Sequence, residues 1–467
     1  CKGVCMQSPR PMRNEDSPRS RIISGVSLIA LTTISIATLL AIAWAITRST
    51  PEASLWGAPP VTVILAAVAV LLVVLVGAVI LEAISLLPLT RPGPIEREAI
   101  DRTDPLDSRI TVVIPAHNEE SSLPATLAAL NDQSRVPDRV VVIADNCSDR
   151  TSNVARAAGC LVLESRGNRG RKAGALNQAL GQLLPTLGAR DLLLVMDADT
   201  RLLPDFVRST AGTLEQDADI SAVGGVFAGD DRKGLLPQLQ RNEFARYARQ
   251  LASRRGRVFV LTGTATLFRP SALEAVAARR GDTLPGQRGK VYAEAAITED
   301  NELTLALKSL GAYLVSPSDC RVTTETMPSL STLWTQRLRW QRGALENLND
   351  YGLRSATARY WLQQWGLAYG SIALPLSLAA LLLLPVVMGA WALLPIWLHV
   401  TVAFSLERGL TAWDTGWRGR IIGFSLIPEI LYSLFLQACF MRGLAGMMAS
   451  HDMAWGHLTP AEAEVRA

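Results

Sequence analysis

Cysteine, histidine and charge are all scarce in this chain of 467 residues. The six cysteines (Cys1, Cys5, Cys147, Cys160, Cys320, Cys439) show no metal-ligand spacing, and nothing in their placement suggests a disulfide framework, which fits a reducing compartment. The four histidines, His117, His399, His451 and His457, are scattered and offer no histidine metal centre. Charged residues make up 19% of the chain, below the quarter or so usual for soluble domains. Hydrophobic residues reach 49%, with a mean hydropathy of +0.21. Intrinsic disorder and a fully water-soluble enzyme are both poor fits to these figures. The net charge of +4 is too small over this length to argue for nucleic acid as a partner.

What the chain does have is long apolar runs. Ile22–Ile46 and Val61–Leu81 carry no charge and are each long enough to cross a bilayer at ~1.5 Å per residue. Trp365–Leu406 is also free of Lys, Arg, Asp and Glu and has room for two passes, with a break near Pro385–Pro395. Ile421–Met441 is a further candidate that contains Glu429, which either lines a polar path or is paired within a helix bundle. Ala43-Trp44-Ala45 resembles a signal-peptidase site, but the run before it is too long for a signal segment and reads as an anchor. Met6 or Met12 is the expected start. Lys2, Arg10, Arg13, Arg19 and Arg21 precede the first run, so the positive-inside rule places the N-terminus and the block after Leu89 in the cytoplasm of a multi-pass protein of the cell membrane. Arg408, Arg418 and Arg420 suit a cytoplasmic loop at 407–420.

Residues 108–325 change character. Short β-rich runs at Ile110–Ile114, Val140–Ile143, Leu161–Leu163, Leu192–Val195, Ala222–Phe227 and Val258–Phe268 are separated by helical patterns, such as Leu123, Leu127 and Leu130 after Glu119-Glu120. Such alternation predicts an α/β fold with a mostly parallel, helix-covered sheet, which binds ligands at the carboxyl ends of its strands. The expected organisation is a cytoplasmic arm at 1–21, two membrane helices within 22–89, a linker at 90–107, a catalytic domain at 108–327, an interfacial amphipathic region at 328–360, two to three membrane helices within 361–445 and a tail at 446–467. A second linker is expected at Arg279–Gly289.

Polar groups cluster where strands should end. The first strand runs into Pro115-Ala116-His117-Asn118-Glu119, the second into Asp145, and a Gly-rich basic loop carries Lys172 into a helix. The fourth delivers Asp197-Ala198-Asp199; Gly263-Thr264, Thr298-Glu299-Asp300 and Gln336-Arg337-Leu338-Arg339-Trp340 follow. An acid-x-acid pair can hold Mg²⁺ or Mn²⁺ through oxygens while a diphosphate supplies other ligands, or it can be a solvated capping pair. The Lys172 loop offers an ammonium and backbone N–H groups to phosphate, or is an ordinary basic loop. Asp145 can accept from a base or ribose, or form a turn; Asp300 can be a general base, or only the charge opening the helix Asn301–Leu310. Arg339-Trp340 pairs a phosphate-matching guanidinium with a stacking surface, and also suits a membrane-interface anchor.

In this order the pieces resemble the family 2 glycosyltransferases of GT-A fold, within the membrane-embedded branch of cellulose, hyaluronan, chitin-oligosaccharide and poly-N-acetylglucosamine synthases. The resemblance implies a GT-A, Rossmann-like domain set between membrane helices. It implies a nucleotide-sugar site including Pro115, Asn118, Glu119, Asp145, Lys172, Asp197, Gly263 and Thr264, with Asp199 the leading ligand of Mg²⁺ or Mn²⁺ beside Asp197. Asp300 becomes the base, and Gln336, Arg339 and Trp340 match the Q-x-x-R-W signature of processive members. The one departure is Gly174, where many relatives carry another small or polar residue. The reaction implied is inverting transfer from a nucleotide-sugar, expected to be a UDP-sugar, building a β-linked polysaccharide. The alternatives are a single addition to a lipid such as diacylglycerol or polyprenyl phosphate, and, more remotely, a non-catalytic sugar-binding or export subunit. Partners would be the donor, a polysaccharide or lipid-linked acceptor and the bilayer. The helix Ser329–Leu348 is expected to lie on the membrane, its Leu330, Leu333, Trp334, Leu338, Leu345 and Leu348 set against Arg337, Arg339 and Arg342.

Overall fold

The computed structural model describes residues 108–449, apart from residue 255 and residues 389–393. The arm, the two N-terminal apolar runs, the linker at 90–107 and nearly all of the tail lie outside the described residues. The chain order is β1 (Ile110–Ala116), α1 (Leu123–Asn131), β2 (Arg139–Ala144), α2 (Thr151–Ala157), β3 (Leu161–Glu164), α3 (Arg171–Leu183) and β4 (Leu192–Met196). Next come β5 (Arg201–Leu202), α4 (Phe206–Gln216), β6 (Ile220–Gly224), β7 (Val226–Gly229), α5 (Leu235–Ser253), β8 (Ala265–Phe268) and α6 (Pro270–Arg279). Then follow α7 (Glu299–Ser309), β9 (Tyr313–Val315), β10 (Arg321–Thr324), α8 (Leu330–Tyr351), α9 (Ser355–Met388), α10 (Leu394–Thr411), α11 (Gly416–Ser425) and α12 (Ile427–Met448).

The main sheet has the order β3-β2-β1-β4-β8-β6-β9. Only β8 runs against its neighbours β4 and β6. Its strands are apolar on both faces, as a sheet covered by helices on both sides requires. Ile110, Val112, Ile114, Leu192 and Leu194 pack under α1, α2 and α4, while Val113, Val141, Leu193 and Val195 pack under α3, α6 and α7. A second sheet, β5-β10-β7, lies alongside. The α/β expectation is met: a mixed, mostly parallel, Rossmann-like arrangement.

Several expectations need correction. Ala222–Phe227 is two strands in different sheets, parted at Gly225. In Val258–Phe268 only the last four residues are strand. Residues 258–261 instead form an irregular buried segment whose carbonyls are taken by side chains: Lys308 Nζ donates to Val258 O at 2.6 Å, and the Tyr360 hydroxyl donates to Phe259 O. The 279–289 stretch is no linker. Buried Arg280 pins it, donating to Pro285 O (2.7 Å) and Val291 O (2.6 Å) and forming a two-point ion pair with Glu302 (2.7 and 2.8 Å).

The charge-free stretch 365–406 falls in α9 and α10. The last run begins later than expected, because Ile421–Ser425 belongs to α11 and Leu426, at φ 60°, breaks the chain before α12. Among the described residues one helix, α12, is long and apolar enough to cross a membrane. Glu429 in its first turn is paired, not lining a path: Arg246 lies at 2.9 Å and Asn242 Nδ2 donates to it at 2.9 Å. The loop expected at 407–420 is the end of α10, a short 3-10 turn and the start of α11.

α8 starts at a capping box made by Ser329 and Thr332. Its arginines do not form the water-facing side that the sequence implied. Arg337 and Arg342 are buried and Leu330 is exposed. Arg337 pairs with Glu243 of α5 (2.8 Å), which also accepts from the Tyr432 hydroxyl of α12 (2.6 Å), and Arg342 pairs with Glu346 (2.5 Å). Trp334 meets Phe435 of α12 edge to face. α8 is therefore a packed helix held between α5, α7 and α12.

Candidate active site

Residues just beyond the strand ends converge at one edge of the sheet. Asp145 follows β2 and is buried, and its Oδ1 accepts from Ser165 Oγ (2.6 Å), Asn168 Nδ2 (2.8 Å) and Asn146 Nδ2 (3.2 Å). Asn168 in turn reaches the first turn of α3, donating to Arg171 O at 2.7 Å. A side chain at Gly174 would collide with the Asn168 amide, which accounts for glycine at that one departure from the family pattern. Asn118, Asn146 and Arg171 all have positive φ, so three non-glycine residues of the left-handed region line this rim. Such backbone costs of order 1–3 kcal/mol each tend to persist at functional sites.

Lys172 is the hub. Its Nζ lies 2.6 Å from Asp197 Oδ1 and 2.7 Å from Glu299 Oε1. Burial pulls the ammonium down, but Asp197 and Glu299 together outweigh it and hold the pKa well above the ordinary lysine range. Burial pushes Glu299 up, and Lys172 more than reverses this, so Glu299 stays ionised below the usual range. Asp300, next along, is lifted to about 6 by burial and by the Glu299 charge. Its Oδ2 accepts from the Gly263 N–H (3.0 Å) and its Oδ1 from the Asn301 N–H (2.7 Å). One carboxylate is thus held charged and its neighbour is left able to exchange a proton near neutrality, as a general base needs. The cavity beside them is floored by Leu176, Val195, Leu261 and Phe268.

The other predicted residues lie as follows. Pro115 is buried in β1, and Asn118 uses its side-chain oxygen to accept from Ser148 N–H (2.8 Å). Thr264 O accepts from Asp197 N–H (3.0 Å), tying the start of β8 to the end of β4. Gln336, Arg339 and Trp340 are half-buried on α8. Arg339 is near enough to favour the Glu299 charge, but the guanidinium over the Trp340 ring is that of Arg337, 4.4 Å from its centre. Glu299 is the group the sequence reading passed over; its position beside Asp300 in a helix's first turn was the available signal.

The donor set fits a divalent cation held jointly with a substrate. Burial pushes up both Asp197, to about 6, and Asp199. Asp199 is raised further by Glu119 and Glu325, so negative charge accumulates there that a cation would relieve. Lys172 already engages Asp197, which leaves Asp199 the better ligand. Among the described residues no three acidic, cysteine or histidine side chains are placed to hold a metal by themselves.

α8 is docked onto this centre. Asn347 Nδ2 donates to Thr298 O (3.1 Å) and Asn301 Oδ1 (3.0 Å), clasping the start of α7, and a Cβ at Gly343 would sit 2.5 Å from Thr298 Oγ1. Gly343→Ala is therefore expected to cost about 1–3 kcal/mol by overpacking. It should also lower kcat by moving Glu299 and Asp300, as read by thermal unfolding and initial rates.

The profile of the family described as "Glycosyltransferase like family 2" matches residues 108–343, just over half of the chain. The chain belongs to that family. It is a glycosyltransferase with a GT-A-like fold. Over 249 residues the glycosyltransferase is 28% identical to the "probable glycosyltransferase YdaM" of Bacillus subtilis, covering 50% of this chain and 55% of that protein. Over 260 residues it is 25% identical to the poly-beta-1,6-N-acetyl-D-glucosamine synthase of Staphylococcus aureus, covering 54% and 58%. The glycosyltransferase thus spans little more than half the length of these curated relatives. Among solved structures, the mannosyltransferase PcManGT from Pyrobaculum calidifontis, in complex with GDP-Man and Mn²⁺, superposes with a TM-score of 0.51 at 18% identity. That match covers 83% of this chain and 99% of the other, an agreement in fold.

Proposed function

We propose that the protein is a membrane-bound, inverting glycosyltransferase that moves a sugar from a nucleotide-sugar, with a UDP-sugar the leading donor, to a hydroxyl of a growing β-linked polysaccharide. The observation that carries this reading is geometric: Lys172 bridges Asp197 and Glu299, and Asp300 stands next to them at the start of α7 with its carboxylate held by the Gly263 N–H, where burial and the Glu299 charge raise its pKa. A sugar hydroxyl needs its proton removed as it attacks C1, and one base suffices for a single displacement with inversion. Asp300 is that base, and the proton passes to its carboxyl as the C1–oxygen bond forms. Lys172 is placed to meet the diphosphate, with Asp145 and the Asn168 loop shaping the nucleoside end. Arg339, on α8 beside Glu299, adds positive charge on the same side, and Gln336 and Trp340 border the acceptor path. Asp199, with Asp197, would hold Mg²⁺ or Mn²⁺, which when bound supplies Lewis-acid neutralisation of the departing diphosphate.

Multi-pass attachment with a cytoplasmic catalytic domain is part of the reading. It rests on the apolar runs and on α12, which has only 28% of its apolar window buried.

The test is the purified full chain with UDP-N-acetylglucosamine, UDP-glucose and GDP-mannose, following nucleotide release and radiolabelled product. A ladder of saccharides with one UDP-sugar is expected. A single extracted glycolipid would favour the one-addition alternative, and no turnover of any donor would sink the proposal. Chelation with EDTA should stop transfer. Added Mn²⁺ or Mg²⁺ should restore the parent but not Asp199→Ala, and an Asp199→Ala enzyme with parent rates would remove the metal from the scheme.

A further inference from the structure

The turn between α10 and α12 carries a helix whose two sides differ completely. On α11, Gly419 and Gly423 are buried. A Cβ at Gly419 would press on Gln238 and Asn242 of α5, and one at Gly423 would stand 2.6 Å from Arg408 O of α10. The small side is therefore clamped against the protein. The opposite side carries Trp417 and Ile421, spaced i and i+4 and 65% and 59% exposed, while Phe424 at i+7 is 38% exposed and rests its ring against Gly409 of α10. At about 100° per residue, Arg418 and Arg420 fall on the two flanks of this apolar stripe. Each guanidinium lies on an outward-facing tryptophan: Arg418 is 5.3 Å from the Trp417 ring centre and Arg420 is 4.1 Å from that of Trp413. The neighbouring Asp414 is paired to Arg249 at 2.8 Å.

An apolar stripe edged by cations is the pattern of a helix lying in the plane of a bilayer surface. Indole rings favour the headgroup level, and arginines there favour anionic lipid. Ile427 and Leu431 in the first turns of α12, the one described helix apolar enough to cross, are exposed as well. Leu426 turns the chain between the two helices. We propose that α11 lies flat in the headgroup layer, with Trp417 and Ile421 in the acyl boundary, and that Arg418 and Arg420 select anionic phospholipid headgroups. This rests on the membrane-bound reading above and adds a lipid preference to it.

The experiment reconstitutes the full chain in vesicles of phosphatidylcholine, with or without phosphatidylglycerol, and reads tryptophan quenching by brominated lipids. The chain has eleven tryptophans, so Trp417 is read as the difference between the parent and Trp417→Phe. Bromines near the headgroup end should quench Trp417 more than bromines deep in the acyl chain. Brominated phosphatidylglycerol should quench about three- to fivefold more effectively than its phosphatidylcholine counterpart, and Arg418→Gln with Arg420→Gln should bring that ratio close to one. A Trp417 signal untouched by lipid, as water or a protein partner on this face would give, overturns the proposal. Deeper bromines quenching best, or no anionic preference in the parent, does so too. Failure of the protein to float with vesicles would instead remove the membrane reading itself, a separate observation made before any quenching is read.

Discussion

Asp300→Asn should lower kcat by about 10²–10⁴, the usual contribution of a general base, while KM for the donor stays near that of the parent. The split follows from position. Asp300 touches the Gly263 and Asn301 N–H groups, whereas Lys172 is paired with Asp197, and it is Lys172, Asp197 and Asp199 that the proposed reading gives to the donor. A carboxylate works as a base only when ionised. Burial and Glu299 raise its pKa to about 6, so kcat in the parent should climb as pH rises through about 6 and then level off. In Glu299→Gln one of the raising influences is gone, and that limb should move to lower pH. Rates from pH 5 to 8 with saturating donor measure both. An Asp300→Asn enzyme with unchanged kcat would mean the acceptor arrives already ionised, as a phosphate would.

Arg280→Met should destabilise the fold by about 3–5 kcal/mol, because it strands a buried carboxylate. Arg280 is fully buried and its guanidinium is saturated by Glu302, Pro285 O and Val291 O, while the Tyr351 hydroxyl of α8 donates to the same Glu302 (2.6 Å). The group joins α6, α7 and α8 and holds down the chain that carries Tyr292, whose N–H donates to Asn177 Oδ1 of α3 (2.9 Å). Urea unfolding of the detergent-purified chain measures the loss. Arg280→Met with Glu302→Leu should recover much of it, since the orphaned charge is then absent as well. Equal losses in the single and double variants would show that packing, not the ion pair, sets the cost.

The sheet was readable from sequence wherever a strand was a continuous apolar run ending in polar residues, as in β1, β2 and β4. β5, β9 and β10 are two to four residues long, too short for periodicity to register. The segment Val258–Leu261 misled because β-branched and aromatic residues also suit an irregular buried stretch. Its backbone groups bond to Lys308, Tyr360 and Thr304, partners more than 40 positions away in sequence. The same distance effect hid the character of α8. An arginine pattern looks like a wet face until Glu243, 94 positions earlier, is found against Arg337. At the site, the convergence of Lys172, Asp197 and Asp300 followed from placing each motif at a strand or helix end. That Lys172 bridges Asp197 and Glu299 needed the three-dimensional arrangement of α3, β4 and α7.

The grip of Asn347 on Thr298 ties chemistry to surroundings, because α8 also meets α12 directly through Trp334–Phe435, and through Arg337 it shares Glu243 of α5 with Tyr432 of α12. A detergent that wedges these two helices apart should therefore disturb Asp300, the proposed base, while leaving the loop of Asp145 and Asn168 in place. Preparations that hold the donor yet turn over slowly are the expected symptom of a poor amphiphile.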